Sequence, residues 1–205
     1  MTYLLCVIIG YAVGCLSPAY LLSKIKKKDI RKSGTGNLGG TNTMVNFGKK
    51  WGILVMLFDI LKALFVIKLC EWLFPTLLLA GAIAGTAAIF GHIFPFYLHF
   101  QGGKGLACLG GFILSVDWKY FVLILIIGII VSIIINYGCG IPFTAAIVFP
   151  FIYFWESKSV VAFLIILLAS SAIIYKHVDN VLKIRAGEEM SVRDFYKKKI
   201  GKQYD

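Results

Sequence analysis

Acidic residues are scarce: 10 Asp and Glu stand against 21 Lys and Arg in 205 residues, a formal net charge of +11. The five cysteines form no CxxC pair and lie mostly within apolar segments. This argues against a zinc site or disulfide framework and for small buried hydrophobes. The opening Met1-Thr2-Tyr3 has no basic n-region, and Lys24 to Lys28 follow the first apolar run instead of preceding it. That order predicts an uncleaved first helix and not a signal peptide. No convincing internal repeat is present, which counts against a transporter built from repeats. What abounds is apolar surface. Hydrophobic residues make up 59% of the chain, which excludes a disordered or nucleic-acid-binding tail protein.

The basic residues are unevenly placed. Residues 24–50 hold eight and residues 176–205 hold eight more, so 16 of 21 fall in two stretches. Between them run apolar segments long enough to cross a bilayer, where about 20 residues at about 1.5 Å per residue suffice. Spans are predicted at 3–23, 51–74, 76–98, 119–135 and 159–175. Two shorter runs, 105–116 and 141–155, are read as tilted spans, with re-entrant segments as the alternative. Lys and Arg concentrate on the cytoplasmic side. Placing both basic stretches inside predicts an N-terminus outside, a cytoplasmic C-terminus and an odd number of crossings. Seven is preferred to five because Asp117-Trp118-Lys119 is polar enough for the far surface. The expected architecture is all-α and polytopic: a membrane domain over 1–189 and a basic cytoplasmic tail over 190–205.

Four polar stretches interrupt the apolar pattern, at 29–42, 91–104, 136–142 and 176–189, and this topology puts all four at the cytoplasmic face. The first contains Gly34, Gly36 and Gly39 in GxGxxG spacing. A dinucleotide site needs a preceding strand, and a lysine run and membrane helices flank this one. What remains is a glycine-rich loop whose N–H groups, with Thr and Asn donors, suit a phosphate. The lysine run beside it suits anionic lipid. The second stretch holds Gly102-Gly103-Lys104-Gly105. It is not a Walker A motif, since no hydroxyl follows Lys104, yet a lysine among glycines at a membrane mouth suits an oxyanion. His92 reads equally as a structural hydrogen-bonder or a catalytic group; His99 reads as structural. In the fourth stretch His177, Asn180 and Lys183 share a helical face. Within the spans, Asp59 and Lys62 lie three apart on one face and are read as paired with each other or as neutralising a basic site.

Together these residues resemble a known family. Asp29-Ile30-Arg31, Gly34-Thr35-Gly36-Asn37 and Thr41-Asn42, then Gly91-His92 and Gly102-Gly103-Lys104-Gly105, then His177, Asn180, Gly187 and Glu189 look like the motifs of the bacterial acyl-phosphate:glycerol-3-phosphate acyltransferases. The resemblance runs from the first span to about residue 189. It implies seven membrane helices with the N-terminus outside, in the bacterial cell membrane, with the site on the cytoplasmic face. It implies transfer of an acyl chain from acyl phosphate to the 1-hydroxyl of glycerol 3-phosphate, giving lysophosphatidic acid and phosphate. No metal, no cofactor, no coenzyme A donor and no acyl-enzyme are implied, and the donor's phosphate would help deprotonate the hydroxyl. Carried over, Thr35, Lys104 and His177 are catalytic candidates. Gly36, Asn37, Thr41, Asn42, Gly102, Gly103, Asn180 and Glu189 are substrate-binding candidates. Expected partners are the two substrates and membrane lipids, with no nucleic acid and a monomeric chain.

The chain departs from the family pattern at four places. Val45 stands where an Arg is usual, and the 136–142 stretch has no Ser. Gln101 replaces a basic residue, and Lys183 replaces an Arg whose bidentate fork a lysine cannot reproduce. These departures keep two alternatives in view, another acceptor and a non-catalytic relative that binds anionic lipid; a small organic-phosphate transporter, which discontinuous helices and midplane charge would support, is the third.

Overall fold

The computed structural model describes residues 1–194. Lys197, Lys198, Lys199 and Lys202 of the basic tail lie outside the described residues. The described chain is all-helical: α1 (Thr2–Cys15), α2 (Pro18–Ile25), α3 (Gly40–Phe47), α4 (Lys49–Leu73), α5 (Ala80–Ile93), α6 (Leu106–Val116), α7 (Trp118–Ile135), α8 (Gly140–Ser157) and α9 (Val160–Arg185). Among the described residues five segments are long and apolar enough to cross a membrane: Thr2–Ile25, Ala80–Leu98, Trp118–Ile135, Gly140–Ser157 and Val160–Arg185. α6 is apolar but shorter. α4 runs 25 residues, or about 37 Å at the usual rise; it opens on Lys49 and Lys50 and carries Asp59, Lys62, Lys68 and Glu71 along its apolar length.

Prolines set several boundaries. The expected span 3–23 is two helices, because Leu16 and Ser17 are extended and Pro18 opens α2. Proline suits the first position of a helix, where no N–H is needed, and Ser17 Oγ accepts from Tyr20 N at 3.2 Å. The expected span 76–98 ends as α-helix at Ile93, just before Pro95, and continues only as a short turn at Phe96–Leu98. The glycine-rich 29–42 stretch ends inside a helix, α3. That helix starts after Gly39 and runs until Gly48 takes a φ of 92°. α9 continues past the apolar run to Arg185, which carries the polar 176–185 residues on a rigid helix.

α5 is the hub. Its alanines and glycines let α1 approach closely: a Cβ at Gly14 would strike the Ala88 carbonyl, and one at Gly10 that of Ala84. Small residues are what allow such contact in lipid, where burial of apolar surface gives no drive between helices. On the other side of α5 a dense core joins α4, α6, α8 and α9. Ile67, Ile89, Leu109, Phe112, Phe149, Ile166 and Ile173 are sealed in it, with the Phe112 and Phe149 rings edge-to-face at 5.1 Å. The outer face of α7 is left apolar and open at Leu123, Ile126, Ile130 and Ile134, as a lipid-facing surface requires.

Candidate active site

Three of the four polar stretches are hydrogen-bonded together, and the 136–142 stretch is tied to the segment that follows α9. Leu38 N donates to Gly102 O at 3.2 Å, joining the first to the second. Lys104 Nζ donates to Asn180 Oδ1, joining the second to the fourth. Val192 N donates to Asn136 O at 2.9 Å and Arg193 N to Asn136 Oδ1 at 3.1 Å, tying the segment after α9 to the third.

The 29–42 loop is held from inside by Asn42, which is fully buried. Its Nδ2 donates to Ile30 O at 2.7 Å and Asn37 O at 2.8 Å. Its Oδ1 accepts from Thr35 N at 2.7 Å and Asn46 Nδ2 at 3.1 Å. Ile30 and Leu38 anchor the loop in an apolar cluster with Ala19, Val55 and Leu98. The Asp29 carboxylate clasps the Arg31 guanidinium, with Nη2 to Oδ2 at 2.7 Å. That partner holds the Asp29 carboxyl down to about 2, and it leaves Arg31 committed. Asn37 Oδ1 accepts from Gly39 N, and its Nδ2 donates to Thr35 Oγ1 at 3.0 Å. The N–H groups of Gly40, Thr41 and Asn42 in the first turn of α3 have no partner among the described residues. Thr35, Gly36 and Thr41 lie exposed on the loop's outer side.

The second stretch folds back over the end of α5. Gly102 N donates to Ile93 O at 3.1 Å and Gly103 N to His92 O at 3.0 Å. Both glycines are buried, and a Cβ on Gly102 would strike His92 O and lie 2.9 Å from Ile93 O. Below them Lys62 Nζ lies 2.7 Å from Asp59 Oδ1, with side chains 3% and 1% exposed. It also lies 3.1 Å from His92 Nδ1 and donates to Leu16 O at 2.6 Å, at the break between α1 and α2. Asp59, His92 and Cys108 place donor atoms within 4.8 Å of one another. The Lys62 ammonium already supplies that cluster's cation, so a metal would have to displace it.

On α9, Asn180 sits between partners. It accepts from Lys104 and donates Nδ2 to Glu189 Oε1 at 2.9 Å. Burial depresses the Lys104 ammonium below the ordinary lysine value; Asp179 and Glu189 oppose the shift, and Lys183 and Lys176 reinforce it. His177, one turn earlier and 7% exposed, has Nδ1 2.8 Å from Ile173 O. A carbonyl only accepts, so Nδ1 carries the proton and, in the neutral ring, Nε2 is left as an acceptor.

Of the expected residues, Lys104, Asn180 and Glu189 form one connected group, with Gly102 and Gly103 beneath it and His177 beside it. Thr35, Gly36, Asn37 and Thr41 belong to the loop that Leu38 pins to Gly102. Asn42 differs, since its amide is fully engaged within the loop. Among the departures, Val45 is exposed and Pro142 is buried within α8. Asn136 was not singled out from sequence, yet it anchors the segment after α9.

Fold and site define an all-helical integral membrane protein whose polar loops gather around one buried-edge lysine. A family model described as glycerol-3-phosphate acyltransferase matches residues 4–187. A glycerol-3-phosphate acyltransferase of Thermoanaerobacter pseudethanolicus is 34% identical, over 92% of this chain and 95% of its own. Glycerol-3-phosphate acyltransferase 1 of Lactobacillus johnsonii is 32% identical, over 95% of each. Among solved structures, PlsY (YgiH), an integral membrane glycerol 3-phosphate acyltransferase, superposes in its glycerol 3-phosphate form with a TM-score of 0.83 at 26% identity, covering 93% of this chain and 96% of that one. Its lysophosphatidic acid form gives 0.81. The chain belongs to the glycerol-3-phosphate acyltransferase family.

Proposed function

We propose that the protein transfers an acyl group from acyl phosphate to the 1-hydroxyl of glycerol 3-phosphate. The hydroxyl oxygen attacks the acyl carbonyl carbon, the bond from that carbon to the phosphate oxygen breaks, and the hydroxyl proton leaves with inorganic phosphate. The observation that carries this reading is the Lys104–Asn180–Glu189 chain set beside the glycine loops. Asn180, fixed by Glu189, holds Lys104 at the mouth, and the ammonium offsets charge on the departing phosphate. His177 Nε2 accepts a hydroxyl of the acceptor, which orients it for attack. The free N–H groups of α3's first turn and the Thr35 hydroxyl meet a phosphate, while Asn42 keeps their loop in shape.

In this reading the chain has seven membrane crossings, counting α1–α2 as one and adding α4 and α6 to the five long apolar spans. The N-terminus is outside, and the site lies on the cytoplasmic face with the lysine-rich loop against anionic lipid. It works as a monomer, and residues 190–205 form a cytoplasmic tail. The test is phosphate release by purified protein in lipid, supplied with acyl phosphate. Release that requires glycerol 3-phosphate supports the reading; none, where a relative works alongside, overturns it. A second reading rests on Val45 and Pro142, which leave the site short of an Arg and a hydroxyl. In that case the protein takes another acceptor or binds without turnover, and binding of glycerol 3-phosphate without phosphate release would separate the two.

A further inference from the structure

His92 closes α5 directly under the glycine-lysine loop and is 7% exposed. Its Nδ1 faces the Lys62 ammonium at 3.1 Å. That ammonium donates to Leu16 O at 2.6 Å, pairs with the Asp59 carboxylate, Oδ1 at 2.7 Å, and faces His92 Nδ1. An ammonium donates and has no lone pair, so Nδ1 must accept, and the ring proton sits on Nε2. A doubly protonated ring would instead press a second cation against Lys62, sharing one carboxylate whose Oδ1 is 3.4 Å from Nδ1. Nε2 has no hydrogen-bond partner among the described residues. It lies against Gly103: a Cβ there would strike Nε2 and sit 2.7 Å from Cε1. An N–H donor without a protein partner among the described residues thus lies against the loop that carries Lys104.

We propose that His92 is a ligand-contacting residue, whose Nε2–H donates to a phosphate oxygen seated on the Gly102–Gly105 loop beside Lys104. Lys62 and Asp59 are positioning residues that fix its tautomer. The inference rests on the reading of this site as a phosphate-ester site. The two ring systems then have opposite polarity: His92 presents a donor, for an anion, and His177 an acceptor, for a hydroxyl.

The experiment uses the full chain in lipid nanodiscs with 15N-labelled histidine. Three histidines are present, so the spectra of His99→Gln and His92→Gln assign all three signals. Inorganic phosphate, glycerol 3-phosphate and a non-hydrolysable acyl phosphonate are titrated separately. His92 is expected as the Nε2–H tautomer, with that proton moving saturably. The probe that moves it at lowest concentration names the phosphate seated there. An unprotonated Nε2, or a signal unmoved by all three at concentrations that inhibit turnover, overturns the proposal. In parallel, His92→Gln keeps a donor near Nε2 and His92→Leu removes it. The Leu variant is expected to raise KM for the phosphate-bearing substrate about 10- to 100-fold, the scale of a hydrogen bond to a charged group, with Gln restoring most of it. Equal impairment of the two also overturns it. If the wild type fails to turn over while Nε2–H still responds, acyl transfer falls and this contact stands. Turnover without a response reverses that outcome.

Discussion

Removing Lys62 or Asp59 singly should damage the protein far more than removing both. The pair is 3% and 1% exposed, so Lys62→Met leaves a carboxylate in an apolar bundle, and Asp59→Leu leaves an ammonium there. Breaking such a pair costs about 3–5 kcal/mol, whereas replacing both members with apolar groups is often neutral or stabilising. The double variant still loses the hydrogen bonds to Leu16 O at 2.6 Å and His92 Nδ1 at 3.1 Å, about 1 kcal/mol each. For a chain of this length about 2–4 °C of melting temperature accompanies each kcal/mol. Each single variant should therefore melt about 6–20 °C below the parent, with the double recovering much of it. Thermal unfolding of the four proteins in one detergent, closed as a double-mutant cycle, measures this. Singles within about 2 °C of the parent, or a double that falls by the sum of the singles, would refute the buried-pair account. The refolded double also separates stability from chemistry. With no ammonium to hold Nδ1, it should be stable yet slower in transfer.

Four further outcomes are expected. Asn42→Ala removes the bonds to Ile30 O, Asn37 O and Thr35 N. At about 1 kcal/mol each net it should cost about 2–3 kcal/mol, raise KM for phosphate-bearing substrates, and speed protease cleavage within 29–42. Gly102→Ala drives a Cβ into His92 O and should cut phosphate release at least about 100-fold, since a displacement of about 1 Å suffices for such a loss; an active Ala variant would place the loop outside the site. Because burial lowers the Lys104 pKa, its cation is lost at a pH below that of a free lysine. KM for glycerol 3-phosphate should then rise on the alkaline side, and Lys104→Arg should move that limb to higher pH. Asp29 is held to about 2 in the folded protein, so its contribution is present above about pH 4 and is lost as pH falls toward 2. An acid-unfolding curve with the same slope for Asp29→Asn would contradict this.

The long apolar spans were legible because a bilayer fixes helix length, and α4 to α9 fall where the apolar runs and Pro95 put them. The break after Cys15 was also written in the chain, in Ser17-Pro18, but an apolar run that continues on both sides hides it. Charge assigned the polar stretches to one side, and the 29–42, 91–104 and 176–189 stretches are hydrogen-bonded to one another. What each residue does there was less legible. Asn42 resembles a ligand by its motif, and only its four internal bonds reveal that its amide is spent on the loop. Asp59 and Lys62, three apart, have a sufficient local explanation in each other, so nothing in sequence calls for His92, 30 residues on. The pair's significance comes from geometry: one ammonium between a carboxylate, a carbonyl and an imidazole leaves the imidazole one arrangement. That choice reverses the chemistry of His92 relative to His177, whose Nδ1 is spent on Ile173 O. A histidine in a motif says that a proton is nearby. Which nitrogen carries it, and whether the ring meets an anion or a hydroxyl, is set by the partner on the far side of the ring.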